Sequence, residues 1–176
     1  MRLSLPSFLD GRTLRLAAAA LVVAANLVAV ACSGSSSSPT EPGGPVSAEQ
    51  VEASSVAMIN SERGGAGLGQ LWFDPVLSEV ARQYSREMRD QGFVSHYDQH
   101  GVAVDGRLRS AGVRFVKAGE NIAAVETADP AGDAHRGFMA SAPHRANILA
   151  GDYTSVGVGV ASMGDKFWIT EIFIRE

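Results

Sequence analysis

The sequence predicts an α+β domain, a three-layer α-β-α sandwich around a mostly antiparallel sheet. Two observations carry this expectation. The first is a C-terminal hairpin pattern that is apolar on both faces. Val156, Val158 and Val160 alternate with Gly157, Gly159 and Ala161, and Gly164-Asp165 supplies a tight turn. In the returning strand Phe167, Ile169, Glu171 and Phe173 share one face, while Trp168, Thr170, Ile172 and Ile174 share the other. Such a sheet must be covered on both sides. The second observation is that helical patterns occur at several places before the hairpin, enough to supply both covers.

In chain order, Ser47 followed by Gln50 is a capping box that opens a helix through about Glu62. Val51, Ser55, Met58 and Ile59 mark its inner face, and the glycines after Arg63 end it. Asp74-Pro75 places a cap and a proline at a first helical position. Leu77, Val80, Ala81, Tyr84 and Met88 then recur at spacings of three and four, so a helix runs to Gln91 and stops at Gly92. Residues 93–101 read as irregular. A short helix is expected over Asp105–Ala111, ended by Gly112, and a strand over Val113–Lys117. Asp129-Pro130 opens another helix with Phe138 and Met139 inward, and Ser141-Ala142-Pro143 interrupts it before His144. Gly157 and Gly159 leave one face of the hairpin nearly bare, so a helix can approach it closely.

The chain of 176 residues allows one ordinary domain and a leader. Arg2, Arg12 and Arg15 precede an apolar run, Leu16–Ala31, broken only by Asn26. That run is shorter than the roughly 20 residues of a bilayer span, so residues 1–31 read as an export signal. The single cysteine, Cys32, follows directly and is succeeded by a serine-rich run. This arrangement resembles the bacterial lipoprotein signal, in which the thiol is acylated and becomes the first residue. Ala29 stands where that signal usually has a large aliphatic residue. An ordinary cleaved signal and a secreted product is the alternative. Residues 32–46, rich in Ser, Pro and Gly, read as a tether, and 47–176 as the domain. Export removes three Arg and one Asp, leaving 12 basic and 18 acidic side chains and a charge of −6. Binding nucleic acid through bulk charge is excluded on that ground. With one cysteine, no disulfide forms within the chain.

Glu120 puts a carboxylate into an apolar run between Phe115 and Ala124. Buried, it needs a cation, a metal or hydrogen-bond donors. His96 upstream and His144 downstream make a Glu/His cluster one reading; a structural carboxylate satisfied by backbone amides is the other. Glu171 interrupts an apolar face and is expected at a rim, where the sheet meets water, with a place near the same cluster as the alternative. His100 and His135 are expected on the solvated surface. No nucleophile stands out, and His144-Arg145-Ala146-Asn147 is not the zinc-protease helix motif.

The segments FVSH (93–96), GENIA (119–123), FMASAPHRANIL (138–149), VGVGV (156–160) and FWITEIF (167–173) resemble, in that order, the bacterial branch of the CAP superfamily. This is the cysteine-rich secretory, antigen 5 and pathogenesis-related family, also called the SCP-like extracellular domain. The resemblance covers about residues 47–176 and implies an α-β-α sandwich. It also implies a cleft with two His and two acids, of which His96, Glu120 and His144 match three. The fourth, an acid of the eukaryotic pattern, falls at Ser141, where bacterial relatives commonly have Ser too; Asn121 and Glu171 join the cleft residues. The implied cofactor is Zn²⁺ or another divalent cation held by His96, His144 and Glu120, with a lipid or small apolar ligand alongside. The expected function is an extracytoplasmic, lipid-anchored binding module rather than an enzyme. The rivals are a metal-dependent, peptidase-like hydrolase using His96, Glu120 and His144, and an adhesive or structural envelope protein. Mass spectrometry of membrane-extracted protein is expected to find an acylated Cys32 as first residue; an unmodified thiol, or a retained Leu16–Ala31 segment, contradicts the anchor.

Overall fold

The fold is that of a computed structural model, in which residues 45–176 are described. The expected signal, the lipidated Cys32 and all but the last two residues of the tether lie outside the described residues. The first helix, α1 (Ala48–Gly65), starts on the capping box. Gln50 N–H donates to Ser47 Oγ at 3.2 Å, and Ser47 N–H donates to the Gln50 side chain at 2.8 Å. It runs three residues past the expected end, through Gly64 and Gly65. A two-residue strand, β1 (Trp72–Phe73), leads to α2 (Pro75–Gln91), whose bounds follow its caps. Asp74 Oδ1 accepts from Val76 N–H at 2.7 Å, and Gly92 closes the helix at φ 71°. Then come α3 (Val104–Ser110), β2 (Lys117–Glu126), α4 (Pro130–Ala140), α5 (Ala142–Ile148), β3 (Ser155–Met163) and β4 (Lys166–Arg175).

The strand expected over Val113–Lys117 begins only at Lys117 and continues to Glu126. The reason is register. Lys117 pairs with Arg175, the last residue of β4, and before it only Val116 N–H still reaches that strand, donating to Arg175 O at 2.7 Å. Val113 and Phe115 instead pack beside Leu108 and Ile174.

The four strands lie in the order β1-β3-β4-β2, with β1 parallel to β3 and the other pairs antiparallel. On one face Val156, Val158, Ile169 and Phe173 meet Val51 and Ile59 of α1 and Phe138 of α4. On the other, Ile172 and Ile174 meet Leu77 and Ala81 of α2 and Leu108 of α3. The two-faced hairpin is thus covered on both sides, as expected. The bare face of β3 admits α2 as well. A Cβ on Gly157 would meet the backbone of Leu77 and Ser78, and one on Gly159 the backbone of Arg82.

Because β1 covers only Ser155 and Val156, side chains take over at the next two edge amides of β3. Val158 N–H donates to Ser78 Oγ at 3.2 Å, and Val160 N–H donates to Glu52 Oε1 at 3.0 Å. A sheet edge capped in this way offers no template for another strand. His135, expected in solvent, is buried where α4 packs on α1, its Nε2 3.5 Å from Glu62 Oε1. Among the described residues no helix is long and apolar enough to cross a membrane.

Gly159→Ala is expected to destabilise the domain by about 1–3 kcal/mol or more, since backbone cannot swing aside. Ile172→Ala is expected to cost about 2–5 kcal/mol through lost burial and a residual cavity. Urea unfolding measures both. Changes within experimental error at both positions contradict the layered packing.

Candidate functional site

The site straddles the free edge of β2. Consecutive residues of a strand face opposite ways, so Glu120 points to the α2–α3 layer and Asn121 to the α4–α5 layer. Gly119, just before them, is required by space: a Cβ there would run into the Tyr153 hydroxyl and the Asn147 amide.

On the first side Glu120 is buried, with 3% of its side chain exposed. Its Oε1 lies 2.9 Å from Nδ1 of His96, and its Oε2 pairs with Arg107 of α3. Arg107 also donates to Val102 O at 2.9 Å, and its Cζ lies over the Tyr84 ring, 3.4 Å from the centroid. Tyr84 in turn donates its hydroxyl to Ser95 O at 2.6 Å, fixing the residue before His96. The desolvated Glu120 therefore finds a cation and an imidazole. Burial pushes its carboxyl above the ordinary value, while Arg107 and His96 pull it back. Burial also pushes the Tyr84 hydroxyl up to about 12, so it remains a donor at neutral pH.

On the second side α5 carries His144 to the same edge. Its ring stands edge-on to Phe138 at 5.3 Å and lies 6.2 Å from the His96 ring, centroid to centroid. Asn147 pins α5 to β2, donating to Glu120 O at 3.1 Å and to Asn121 Oδ1 at 2.9 Å. The Asn121 amide then donates to His144 O at 3.3 Å and to Glu171 Oε2 at 2.9 Å. Burial, and secondarily the charge of His96, lower the pKa of His144, which favours a neutral imidazole.

Glu171 is not at a rim. It is 1% exposed in the middle of the sheet, between Val158 and Asn121, and burial pushes its carboxyl up to about 8. The place near the cluster, the weaker of the two expectations, is the one observed. His96, Glu120, Asn121, His144 and Glu171 thus meet in one network. Ser141 does not join it: it is the N-cap of α5 and makes no side-chain cap bond. His100 is exposed, as expected.

Among the described residues no group of three or more His, Cys, Asp or Glu is arranged to hold a metal ion. Both Glu120 oxygens are engaged, one by His96 and the other by Arg107. Sequence reasoning missed Arg107, Tyr84 and Asn147. Tyr84 fits its helix pattern as plain core, and Arg107 sits among charged residues on a short helix where nothing distinguishes it. Asn147 lay within a quoted motif with no role attached.

The profile of the cysteine-rich secretory protein (CAP) family matches residues 56–173. The chain belongs to the CAP family. An uncharacterized protein of Bacillus subtilis, YkwD, is 33% identical over 74% of this chain. An uncharacterized membrane protein of the same organism, YlbC, is 37% identical over 62%. The chain spans 49% and 30% of the lengths of these two relatives, respectively. Among solved structures, an extracellular protein of Bacillus anthracis containing an SCP domain superposes with a TM-score of 0.62 at 34% identity. That match covers 76% of this chain and 45% of the other. The α+β fold of the domain agrees with the resemblance.

The raised carboxyl of Glu171 has a defined effect on stability. Below about pH 4.5 folded and unfolded chains both hold its proton; between there and about 8 only the folded chain does. Stability is therefore expected to fall as pH rises through that window and to level off above it. Glu171→Gln keeps the Asn121 bond without the charge. It is expected to remove this slope and to be more stable than the parent at pH 8 by a few kcal/mol. Urea unfolding at pH 5 and pH 8 checks it; an unchanged slope contradicts the assignment.

Proposed function

We propose that the protein is an extracytoplasmic, envelope-anchored CAP-domain binding module whose cleft takes a divalent cation on His96 and His144. The observation that carries the reading is the 2.9 Å contact between Glu120 and Nδ1 of His96. A carboxylate at Nδ1 holds the proton there and leaves Nε2 as the lone-pair atom, the arrangement that orients and strengthens metal-bound histidines. The neutral state favoured at His144 by burial supports it as the second imidazole. Imidazole pairs suit Zn²⁺ and neighbouring divalent ions.

The donor set fits a weak, exchangeable cation. Catalytic zinc sites supply three protein ligands, and this edge supplies two. That shortfall, with Ser141 where the eukaryotic pattern has an acid, favours binding over hydrolysis. When bound, the cation would offer its remaining positions to a ligand's oxygen or nitrogen atoms. The extracellular and membrane relatives support placing the domain outside the cytoplasm.

Titration calorimetry with Zn²⁺ on residues 45–176 tests the reading. Saturable binding is expected at pH 7.5. It should weaken sharply below about pH 6, because a ligand imidazole must be unprotonated and free imidazole titrates near 6.5. His96→Ala and His144→Ala should each remove most binding, and Glu120→Gln should weaken it about 10–100-fold. His100→Ala should leave it intact. Absence of saturable binding, or equal losses for His100→Ala and His96→Ala, overturns the proposal.

A further inference from the structure

The edge of the sheet opposite the cleft carries a second feature. Trp72 is 81% exposed and Phe73 50%, and Val76, in the first turn of α2, is 52% exposed. Singly exposed apolar side chains are ordinary, but three within five residues concentrate exposed apolar surface at one corner of the sheet. As a strand, β1 turns these two rings to opposite sides of the sheet edge, Trp72 largely into solvent and Phe73 half-covered beside α1.

The path of the chain indicates what covers them. Phe73 shares a depression with Glu49, Ala53 and Val56, the first turns of α1. The aromatic corner therefore lies beside the point where the chain enters the domain. Cys32 precedes that point by a segment, Ser33 to Val46, of 14 residues. Fully extended, such a segment reaches at most about 50 Å. If Cys32 is the anchor, as the reading above has it, this corner is held within that distance of the bilayer. Tethering turns even a weak contact into an effectively intramolecular one. A ring system with an apolar body and a polar N–H suits the membrane–water boundary, where Trp is enriched. The two depressions flanking the rings include Glu49, Asp74 and Glu176 and neither Lys nor Arg, so anionic headgroups are repelled.

We propose that the Trp72-Phe73-Val76 corner docks on a zwitterionic lipid surface. The anchored domain then rests on its β1 edge and turns the His96–His144 cleft, on the β2 edge, toward the aqueous phase. Both edges belong to one sheet, so the orientation is fixed by the fold.

Tryptophan fluorescence tests this directly. The chain has two tryptophans, and Trp168 is 3% exposed, so emission accessible to aqueous iodide reports on Trp72. Full-length protein purified from membranes is reconstituted into phosphatidylcholine vesicles, with flotation confirming its incorporation. Docking predicts blue-shifted Trp72 emission, several-fold less iodide quenching than in solution, and quenching by brominated lipids. Trp72→Phe should lose all three signals, and Phe73→Ser should restore iodide access. Adding phosphatidylglycerol should weaken the shielding. Where mass spectrometry finds no acyl group, the anchor reading fails by itself, and Cys32, the chain's single thiol, is coupled to a maleimide headgroup lipid. Shielding of Trp72 on those vesicles still supports the docking surface. Iodide quenching unchanged by attachment overturns it. So does shielding that grows with protein concentration without lipid, which makes a second copy the occupant.

Discussion

The site depends on the pairing of Arg107 with Glu120. A carboxylate buried on a sheet edge carries a desolvation cost of several kcal/mol unless a cation and donors offset it. Arg107 offsets it from α3, and the same guanidinium bonds Val102 O and lies on Tyr84. Tyr84 holds Ser95, so the irregular segment bearing His96 is fastened at several points to the residue that neutralises Glu120. The charge, the loop and the histidine are thereby placed together. Removing Arg107 would leave a buried charge unpaired and release a carbonyl contact, so its role is both electrostatic and positional.

A second constraint is the sheet, whose faces and edges perform different tasks. Its faces are committed to packing, down to Gly157 and Gly159, where α2 lies too close for any side chain. Chemistry is then concentrated at the edges, with Glu171 on the central strand β4 reaching the network through Asn121. Along β3 the exposed amides are taken by Ser78 and Glu52. On β2 the edge is occupied by Asn147 and flanked by the imidazoles, which arrive from opposite layers. Such a site exists only where two layers can reach around a terminal strand. This explains why residues distant in sequence meet there.

Much of this was legible in the sequence because it rests on local rules. Asp74-Pro75 and Gly92 bound α2, and alternation along 167–174 assigned each side chain its face. The hydrophobic surroundings of Glu120 implied a buried carboxylate in need of a partner. What was not legible depends on distant contacts. The start of β2 is set by where β4 ends, and no pattern within residues 113–117 records that. Glu171 reads as a rim residue because a charge on an apolar face usually is one; only the neighbouring strands and Asn121 reveal it as buried. His135 is hidden by α1, which is remote in sequence. Arg107 has the same local signature as any solvated arginine. Its partner is 13 positions away on another element.

The measurement that most directly tests this account is the tautomer of His96, read from long-range ¹H–¹⁵N correlations of the imidazole at pH 7.5. The pairing with Glu120 calls for the proton on Nδ1, and the cation-binding role calls for a bare Nε2 as well. Nδ1-protonated His96 in the parent protein, reverting to the mixture of a free imidazole in Glu120→Ala, is the predicted result. A His96 carrying its proton on Nε2, with Nδ1 bare beside the carboxylate, would contradict the orientation from which the cleft's cation-binding role is argued.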